Sequence, residues 1–139
     1  MGVIYVARSV ALSKWGSDVG LSKHIYKIGY TEEPVKKIIE EGWAGERDWV
    51  LVAKQDVGQS DLGDMSEDEL IARVARKQKP VDPNFYPRLK GERGIFKVLP
   101  ANVENHILMT RALAGAAERV EIKLKPADFG AFLIHNALR

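Results

Sequence analysis

Two short apolar segments near the N-terminus, both carrying tyrosine, constrain the fold of this chain more than any other feature. Residues 2–5 have the sequence GVIY, and residues 26–31 have the sequence YKIGYT. Both are predicted to be strands, because β-branched and aromatic residues suit a pleated surface. The second segment ends just before a helical pattern. We therefore expect two neighbouring strands beside a helix N-terminus, which is a place where a phosphate group can be bound.

The composition indicates a globular protein long enough to bury a core. Of its 139 residues, 45% are hydrophobic and 29% are charged, which is ordinary for a soluble domain. No stretch approaches the roughly 20 apolar residues of a membrane span, and no signal sequence is recognisable, so we expect a cytoplasmic protein without a membrane partner. The absence of cysteine excludes disulfides and thiolate metal ligands. A net charge of +2 does not by itself indicate nucleic-acid binding.

A helix is predicted directly after the second strand segment. Val35, Ile38 and Ile39 recur at the i, i+3, i+4 spacing that places side chains on one helix face. Gly42 ends this pattern, as glycine commonly does at a helix C-terminus. Residues 8–24, between the two strand segments, are expected to form either a hairpin extension or a surface loop.

The middle of the chain is predicted to alternate between strands and irregular segments. Residues 49–57 show the alternation of a third strand, and residues 95–99 have the composition of a short one. Ser66 and Glu69 fit a capping box that opens a helix. The prolines of residues 79–92 predict an irregular connector.

The C-terminal part is predicted to contain a long helix over 102–118, a half-exposed strand over 120–125 and a last helix over 127–138. The candidate core residues of the two helices are Val103, Ile107, Met109, Leu113, Phe129, Phe132 and Leu133. Together, the elements predict one domain over residues 1–139 with an α/β fold, in which helices flank a small central mixed or antiparallel sheet. Residues 99–139 form a C-terminal extension of this domain.

The N-terminal motifs resemble those of the GIY-YIG nuclease superfamily. Val3-Ile4-Tyr5 and Lys27-Ile28-Gly29, followed by Thr31, Pro34 and Lys37, are similar to a phage and bacterial branch whose second motif has the form KIG-x-T. The resemblance covers residues 2–98. It implies a GIY-YIG-like fold and a divalent-metal-dependent endonuclease that hydrolyses phosphodiester bonds of DNA with Mg²⁺ or Mn²⁺.

The resemblance also implies roles for individual side chains. In this family the first-motif tyrosine orients or deprotonates water, which assigns that role to Tyr5, and Lys27 becomes a phosphate contact. Lys37 stands where the family has a phosphate-binding arginine. A lysine offers one compact ammonium there, whereas arginine offers a planar fork. Lys36 is a neighbour that competes with Lys37 for this role.

A metal-binding carboxylate is the remaining requirement, since one carboxylate and several waters can hold a hard divalent cation. Glu69 follows the third predicted strand in the order that the family has, so it is the predicted metal ligand. It equally completes the capping box with Ser66. Glu92, within a Gly-Glu-x-Phe-like segment, is the alternative ligand.

Basic residues cluster in the second half of the chain, with aromatic residues close by. Lysine and arginine track phosphates while aromatic rings stack on bases, although a solvated helix face is the commoner explanation of such a cluster. The predicted nucleic-acid contacts are Lys36, Arg73, Arg76, Lys77, Arg88 and Lys90.

Two other functions compete with cleavage. The first is a nucleic-acid-binding module of the same fold that does not cleave, which the lysine at position 37 favours. The second is a protein-interaction domain whose C-terminal helix buries Phe129 and Phe132 against a partner. No pattern in the sequence indicates an oligomeric state.

Overall fold

A five-stranded antiparallel sheet organises the computed structural model, which describes residues 2–21, 23–57, 66–113, 115 and 123–138. The strands are β1 (Gly2–Ser9), β2 (Ile25–Thr31), β3 (Trp49–Val57), β4 (Lys79–Pro80) and β5 (Ile95–Lys97). The helices of this described part are α1 (Val10–Asp18), α2 (Val35–Glu41), α3 (Glu67–Ala75), α4 (Pro100–Leu113) and α5 (Pro126–Leu138). The predicted α/β class with an antiparallel sheet flanked by helices is therefore confirmed.

The strand order β3-β1-β2-β5-β4 places the first tyrosine segment at the centre of the sheet. β1 pairs with both β2 and β3, and Tyr5 lies opposite Gly29 while Ala7 lies opposite Lys27. Successive side chains of a strand point to opposite faces of the sheet. Tyr5 and Ala7 therefore share one face, and Ile4 and Val6 share the other.

The face that carries Ile4 and Val6 is covered by α3, α4 and α5 and forms the first core. Phe129 and Phe132 of α5 are buried in this core. They pack inside the molecule and are not exposed to a partner, in contrast to the expectation of the protein-interaction alternative. Gly130 allows α5 to lie close to β3, because a Cβ at this position would come within 2.7 Å of Ala53 Cβ.

The opposite face of the sheet carries a second core. Ala7, Ile25 and Ile95 of the sheet pack there with Leu12 of α1 and Leu89 of the connector between β4 and β5. This connector, predicted to be irregular, contains a 3₁₀ turn over Pro87–Leu89. Tyr5 and Lys27 lie on the same face as this core.

The expectation of a hairpin extension or surface loop over residues 8–24 is wrong, because α1 occupies half of this segment. Ser9 caps the helix, since its Oγ accepts a hydrogen bond from Leu12 N at 3.1 Å. Asp48 accepts hydrogen bonds from the Ser9 hydroxyl and from Ala11 N. Slight burial raises the pKa of the Asp48 carboxyl, but these hydrogen bonds outweigh it and hold the pKa below its usual range. The N-terminus of α1 is thus stabilised by a residue far along the chain.

The C-terminal part differs from its prediction in the exposure of α4. Val103 is buried and Ile107 is partly buried, but Met109 and Leu113 are exposed, so their assignment to the core was wrong. α4 packs chiefly on α5, which covers only a narrow stripe of its surface. Residues 120–122 of the predicted strand over 120–125 lie outside the described residues, and 123–125 have no regular structure.

Residues 58–65, between β3 and α3, also lie outside the described part of the chain. Among the residues that are described, no helix is both long enough and apolar enough to cross a bilayer.

Candidate functional site

The pairing of β1 with β2 brings the tyrosine of the first motif onto the glycine of the second. Tyr5 lies opposite Gly29 in the register. A Cβ at position 29 would overlap the Tyr5 hydroxyl and come within 2.7 Å of Glu67 Oε1. Because Gly29 has no side chain, the phenol and the carboxylate can occupy this space together. A larger residue at position 29 would therefore displace the phenol, the carboxylate or both.

Glu67 is the carboxylate that the fold places beside the phenol. It is the first residue of α3, and its Oε1 accepts a long hydrogen bond from Tyr30 N at 3.4 Å. Ser66 caps the helix by accepting from Glu69 N at 3.2 Å, which confirms the predicted cap. The side chain of Glu69 is exposed. The role of Glu69 as metal ligand stays a prediction, while the geometry favours the glutamate two residues earlier.

Lys27 lies two residues before Gly29 on the same face of β2, and only 2% of its surface is exposed. Its Nζ donates to the Arg93 carbonyl at 2.6 Å and forms an ion pair with Glu92 Oε1 at 3.4 Å. The absence of a side chain at Gly94 leaves room for the Lys27 ammonium, because a Cβ there would lie 2.8 Å from Lys27 Nζ. The alternative metal ligand Glu92 is thus part of the site, but its carboxylate is paired with an ammonium.

Trp43 covers the site and was not identified from the sequence. Its ring stacks on that of Tyr5 with 5.5 Å between centroids and 14° between planes. Lys27 Nζ lies 5.7 Å from the centroid of the same tryptophan ring, within range of a cation–π interaction. The one available signal was a tryptophan directly after Gly42, which ends α2. We call Tyr5, Lys27, Trp43, Glu67 and Glu92 the Tyr5 cluster.

The electrostatics of the Tyr5 cluster keep its phenol neutral. Burial raises the pKa of Tyr5, and the nearby Glu67 and Glu92 raise it further. Burial lowers the pKa of Lys27, while Glu92 and Glu67 oppose that effect. Tyr5 is therefore suited to orienting a water molecule by hydrogen bonding rather than to removing its proton as a phenolate.

A divalent cation fits the charge of the Tyr5 cluster. Two carboxylates and one ammonium leave an excess of one negative charge. The described residues contain no group of three or more histidine, aspartate or glutamate side chains arranged to hold a metal. Mg²⁺, however, keeps several waters and needs only one or two protein carboxylates. Glu67 fits such a site because its oxygen shares the space at Gly29 with the phenol and accepts, from the residues that the structure describes, one long hydrogen bond.

Access to the Tyr5 cluster is restricted. Tyr5 is 3% exposed and Lys27 is 2% exposed, whereas the side chain of Glu92 is 33% exposed and that of Glu67 is half-buried. A ligand therefore meets the carboxylates first. Tyr30, which follows Gly29, packs against the first core on the opposite face.

Lys36 and Lys37 lie apart from the contacts described for the Tyr5 cluster. Both are exposed on α2, a helix without buried residues. Lys36 lines a cavity of about 810 Å³ between α2, β1 and β3, together with Val3 and Leu51. Because Val3 and Tyr5 share a face of β1, this cavity opens on the same side of the sheet as the Tyr5 cluster.

Two of the basic residues predicted to bind nucleic acid attach α3 to α5. Arg73 Nη1 donates to the Ala137 carbonyl at 3.4 Å, and Lys77 Nζ donates to the Asn136 carbonyl at 3.1 Å. Cations at these carbonyls stabilise the C-terminal end of α5. Arg73 and Lys77 thus have a structural role in the fold.

Arg88 and Lys90 lie against the segment that follows α2. Arg88 donates to the Ala44 carbonyl at 2.8 Å and forms an ion pair with Glu46. Lys90 lies over Gly45, since a Cβ there would come within 2.6 Å of its Nζ. These contacts hold the connector between β4 and β5 beside the tryptophan that covers Tyr5.

Two buried tyrosines make the free energy of unfolding depend on pH in the alkaline range. Burial raises the pKa of Tyr26 to about 12, against the effect of Arg8, and Tyr5 is raised as described above. An unfolded tyrosine titrates near pH 10, so the stabilisation is complete below about pH 10 and is lost as pH rises further. We expect the free energy of unfolding to fall there by up to about 1.4 kcal/mol per pH unit for each tyrosine.

Urea unfolding in steps between about pH 9 and pH 12 measures this slope. Tyr5→Phe and Tyr26→Phe should each remove about half of it. The lowered pKa of Lys27 acts in the opposite direction, but only below about pH 10.5. A double variant with the slope of the wild type would contradict the assignment.

Comparisons with protein-family models, with curated proteins and with solved structures found no match for this chain. The resemblance of its N-terminal motifs to the GIY-YIG superfamily therefore rests on the motif residues themselves.

Proposed function

We propose that this chain is a GIY-YIG-like, divalent-metal-dependent endonuclease that acts on DNA. The observation that carries the proposal is the meeting of the Tyr5 phenol and the Glu67 carboxylate in the space left by Gly29. A phenol and an acid at one point supply two of the groups that metal-assisted phosphodiester hydrolysis requires. The excess negative charge of the Tyr5 cluster supports binding of a cation beside them.

Three residues of the Tyr5 cluster, Tyr5, Glu67 and Lys27, have roles in this proposal, and Lys37 has a role from outside the cluster. Tyr5 orients the attacking water through its neutral hydroxyl. Glu67 holds Mg²⁺ or Mn²⁺, which when bound neutralises charge on the phosphate and the leaving oxygen. Lys27 adds positive charge and positions Glu92 and the loop of residues 91–94 through its two contacts. Lys37 on α2 attracts phosphate in place of the arginine of the family.

Replacing Tyr5 by phenylalanine tests the proposal, because it removes only the phenolic oxygen and keeps the ring that stacks on Trp43. We expect nicking of supercoiled DNA in Mg²⁺ or Mn²⁺ to fall by about 100-fold or more. Tyr86→Phe is the matched control, since Tyr86 packs edge-on against Trp15 in the second core. It should nick at close to the wild-type rate.

Two outcomes would reject this function. One is a wild-type protein that nicks no DNA at any concentration of either metal. The other is a Tyr5→Phe variant that nicks as fast as the wild type, because the phenol would then have no part in the reaction.

A non-cleaving nucleic-acid-binding module is the second candidate, and the burial of Tyr5 and Lys27 favours it. A buried phenol orients water only if water reaches it past the two glutamates. Such a protein binds DNA with an affinity that falls steeply with salt and leaves the DNA intact. Binding measured together with nicking distinguishes the two candidates.

A further inference from the structure

A cavity of about 330 Å³ lies between the end of α3, the β4–β5 pair and the start of α4. Among the described residues that line it, four have cationic side chains and none has an acidic one. The cations are Arg76, Lys77, Lys79 and Lys97. The chain as a whole has a net charge of only +2, so this cavity concentrates far more positive charge than the average surface of the protein.

The sheet forces two of these cations together. Lys79 of β4 lies directly opposite Lys97 of β5 in the antiparallel register. Side chains of directly opposed residues emerge on the same face about 5 Å apart, and like charges in such a pair repel. In the described part of the chain, no carboxylate forms an ion pair with Lys79, Lys97 or Arg76. An anion in the cavity would relieve this repulsion.

The flanking helices present opposite ends to the cavity, since α3 ends there and α4 begins there. The side chains of Arg76 and Lys77 offset the negative end of the α3 dipole. Lys77 donates to the Asn136 carbonyl, so its position at the rim is held by α5. Asn102, in the first turn of the fourteen-residue α4, also lines the cavity. The positive end of the helix dipole is therefore directed towards the same space.

We propose that this cavity binds a phosphate group, carried either by the backbone of a nucleic acid or by a free nucleotide. Arginine supplies a planar fork for phosphate oxygens, and each lysine supplies a point charge. The volume accommodates a phosphate together with part of its sugar. Arg76 and Lys77, which the sequence predicted as nucleic-acid contacts, thus act with Lys79 and Lys97. The cavity shares no residue with the Tyr5 cluster.

NMR titration of the full chain tests this site with three probes: inorganic phosphate, adenosine monophosphate and a short duplex oligonucleotide. We expect saturable shifts at the backbone amides of Gln78, Lys97 and Asn102 with phosphate and at least one other probe. A double variant, Lys79→Gln with Lys97→Gln, should weaken binding by about tenfold or more. The matched control removes the same charge from two exposed lysines elsewhere, Lys14→Gln with Lys125→Gln, and should bind as the wild type does.

The probes also distinguish the source of the phosphate. If nucleic acid is the ligand, the oligonucleotide binds most tightly. The slope of the logarithm of its binding constant against the logarithm of the salt concentration is then smaller in magnitude by about two in the double variant. If a free nucleotide is the ligand, adenosine monophosphate binds more tightly than the oligonucleotide. Absence of saturable shifts with all three probes overturns the inference, and so do equal shifts in the double variant. Nicking is measured separately, so the endonuclease proposal and this site fail independently.

Discussion

Glu67→Gln is expected to reduce metal-dependent nicking of DNA by about 100-fold or more. The amide keeps the size of the side chain but removes the negative charge beside the Tyr5 hydroxyl, which is the charge that holds the cation in the proposed site. Nicking rates measured over a series of Mg²⁺ and Mn²⁺ concentrations check this result. If Glu67 is the ligand, the concentration of metal that gives half-maximal nicking also rises.

Glu69→Gln is the matched control, because it makes the same chemical change two residues along the same helix. The Ser66 cap uses the backbone N–H of Glu69 and not its carboxylate, so the helix start should be preserved. We expect its nicking rate to stay within about threefold of the wild type and both variants to unfold within about 0.5 kcal/mol of it. A larger loss of nicking in Glu69→Gln than in Glu67→Gln would restore Glu69 as the metal ligand.

Gly94→Ala is expected to cause the largest loss of stability among single substitutions at the site. Gly94 has a φ of +81°, and an added Cβ would lie 2.6 Å from the Ile28 carbonyl oxygen and 2.8 Å from Lys27 Nζ. The backbone of β2 cannot yield easily, since Ile28 N also donates to the Gly94 carbonyl at 2.8 Å. We expect the free energy of unfolding to fall by about 3 kcal/mol or more.

Gly91→Ala separates the two causes of that loss. Gly91 lies in the same loop with a φ of +79°, but an added Cβ would meet nothing within 4 Å. It should therefore lose only the conformational part, about 1 kcal/mol. Urea unfolding of both variants gives the difference, which measures the close approach of the loop to β2. Equal losses of unfolding free energy in the two variants would show that the close approach of the loop to β2 does not add to the cost of Gly94→Ala.

Local patterns were sufficient for several elements of the fold. β3 has the predicted bounds, Ser66 caps α3, and the two tyrosine segments pair as neighbouring strands. Each of these depends on alternation, on a cap or on β-branched residues within a few positions of one another. Such patterns predict an element regardless of which other elements pack against it.

α1 and α4 show where local patterns were insufficient. The N-terminus of α1 donates hydrogen bonds to the carboxylate of Asp48. Asp48 is far away in sequence, so only the tertiary structure brings it to the helix. Met109 and Leu113 of α4 have the helical spacing of core residues, yet nothing in the described part of the chain covers them enough to bury them. Amphipathic spacing predicts a helix face that can be buried, but the number and position of neighbouring elements decide how much of that face is buried.

The sequence by itself determined that Tyr5 and Lys27 lie on strands, because β-branched and aromatic residues suit a pleated surface. Their common face follows from the register of β1 with β2, which places Tyr5 opposite Gly29 and Ala7 opposite Lys27, together with the two-residue period of a strand. Only the tertiary structure decided which carboxylate joins them. Residues two apart on a helix point to nearly opposite sides, since each residue advances by about 100°. The burial of Leu70, Ile71 and Val74 against the sheet sets the rotation of α3, and that rotation directs Glu67 to the phenol while Glu69 remains in solvent.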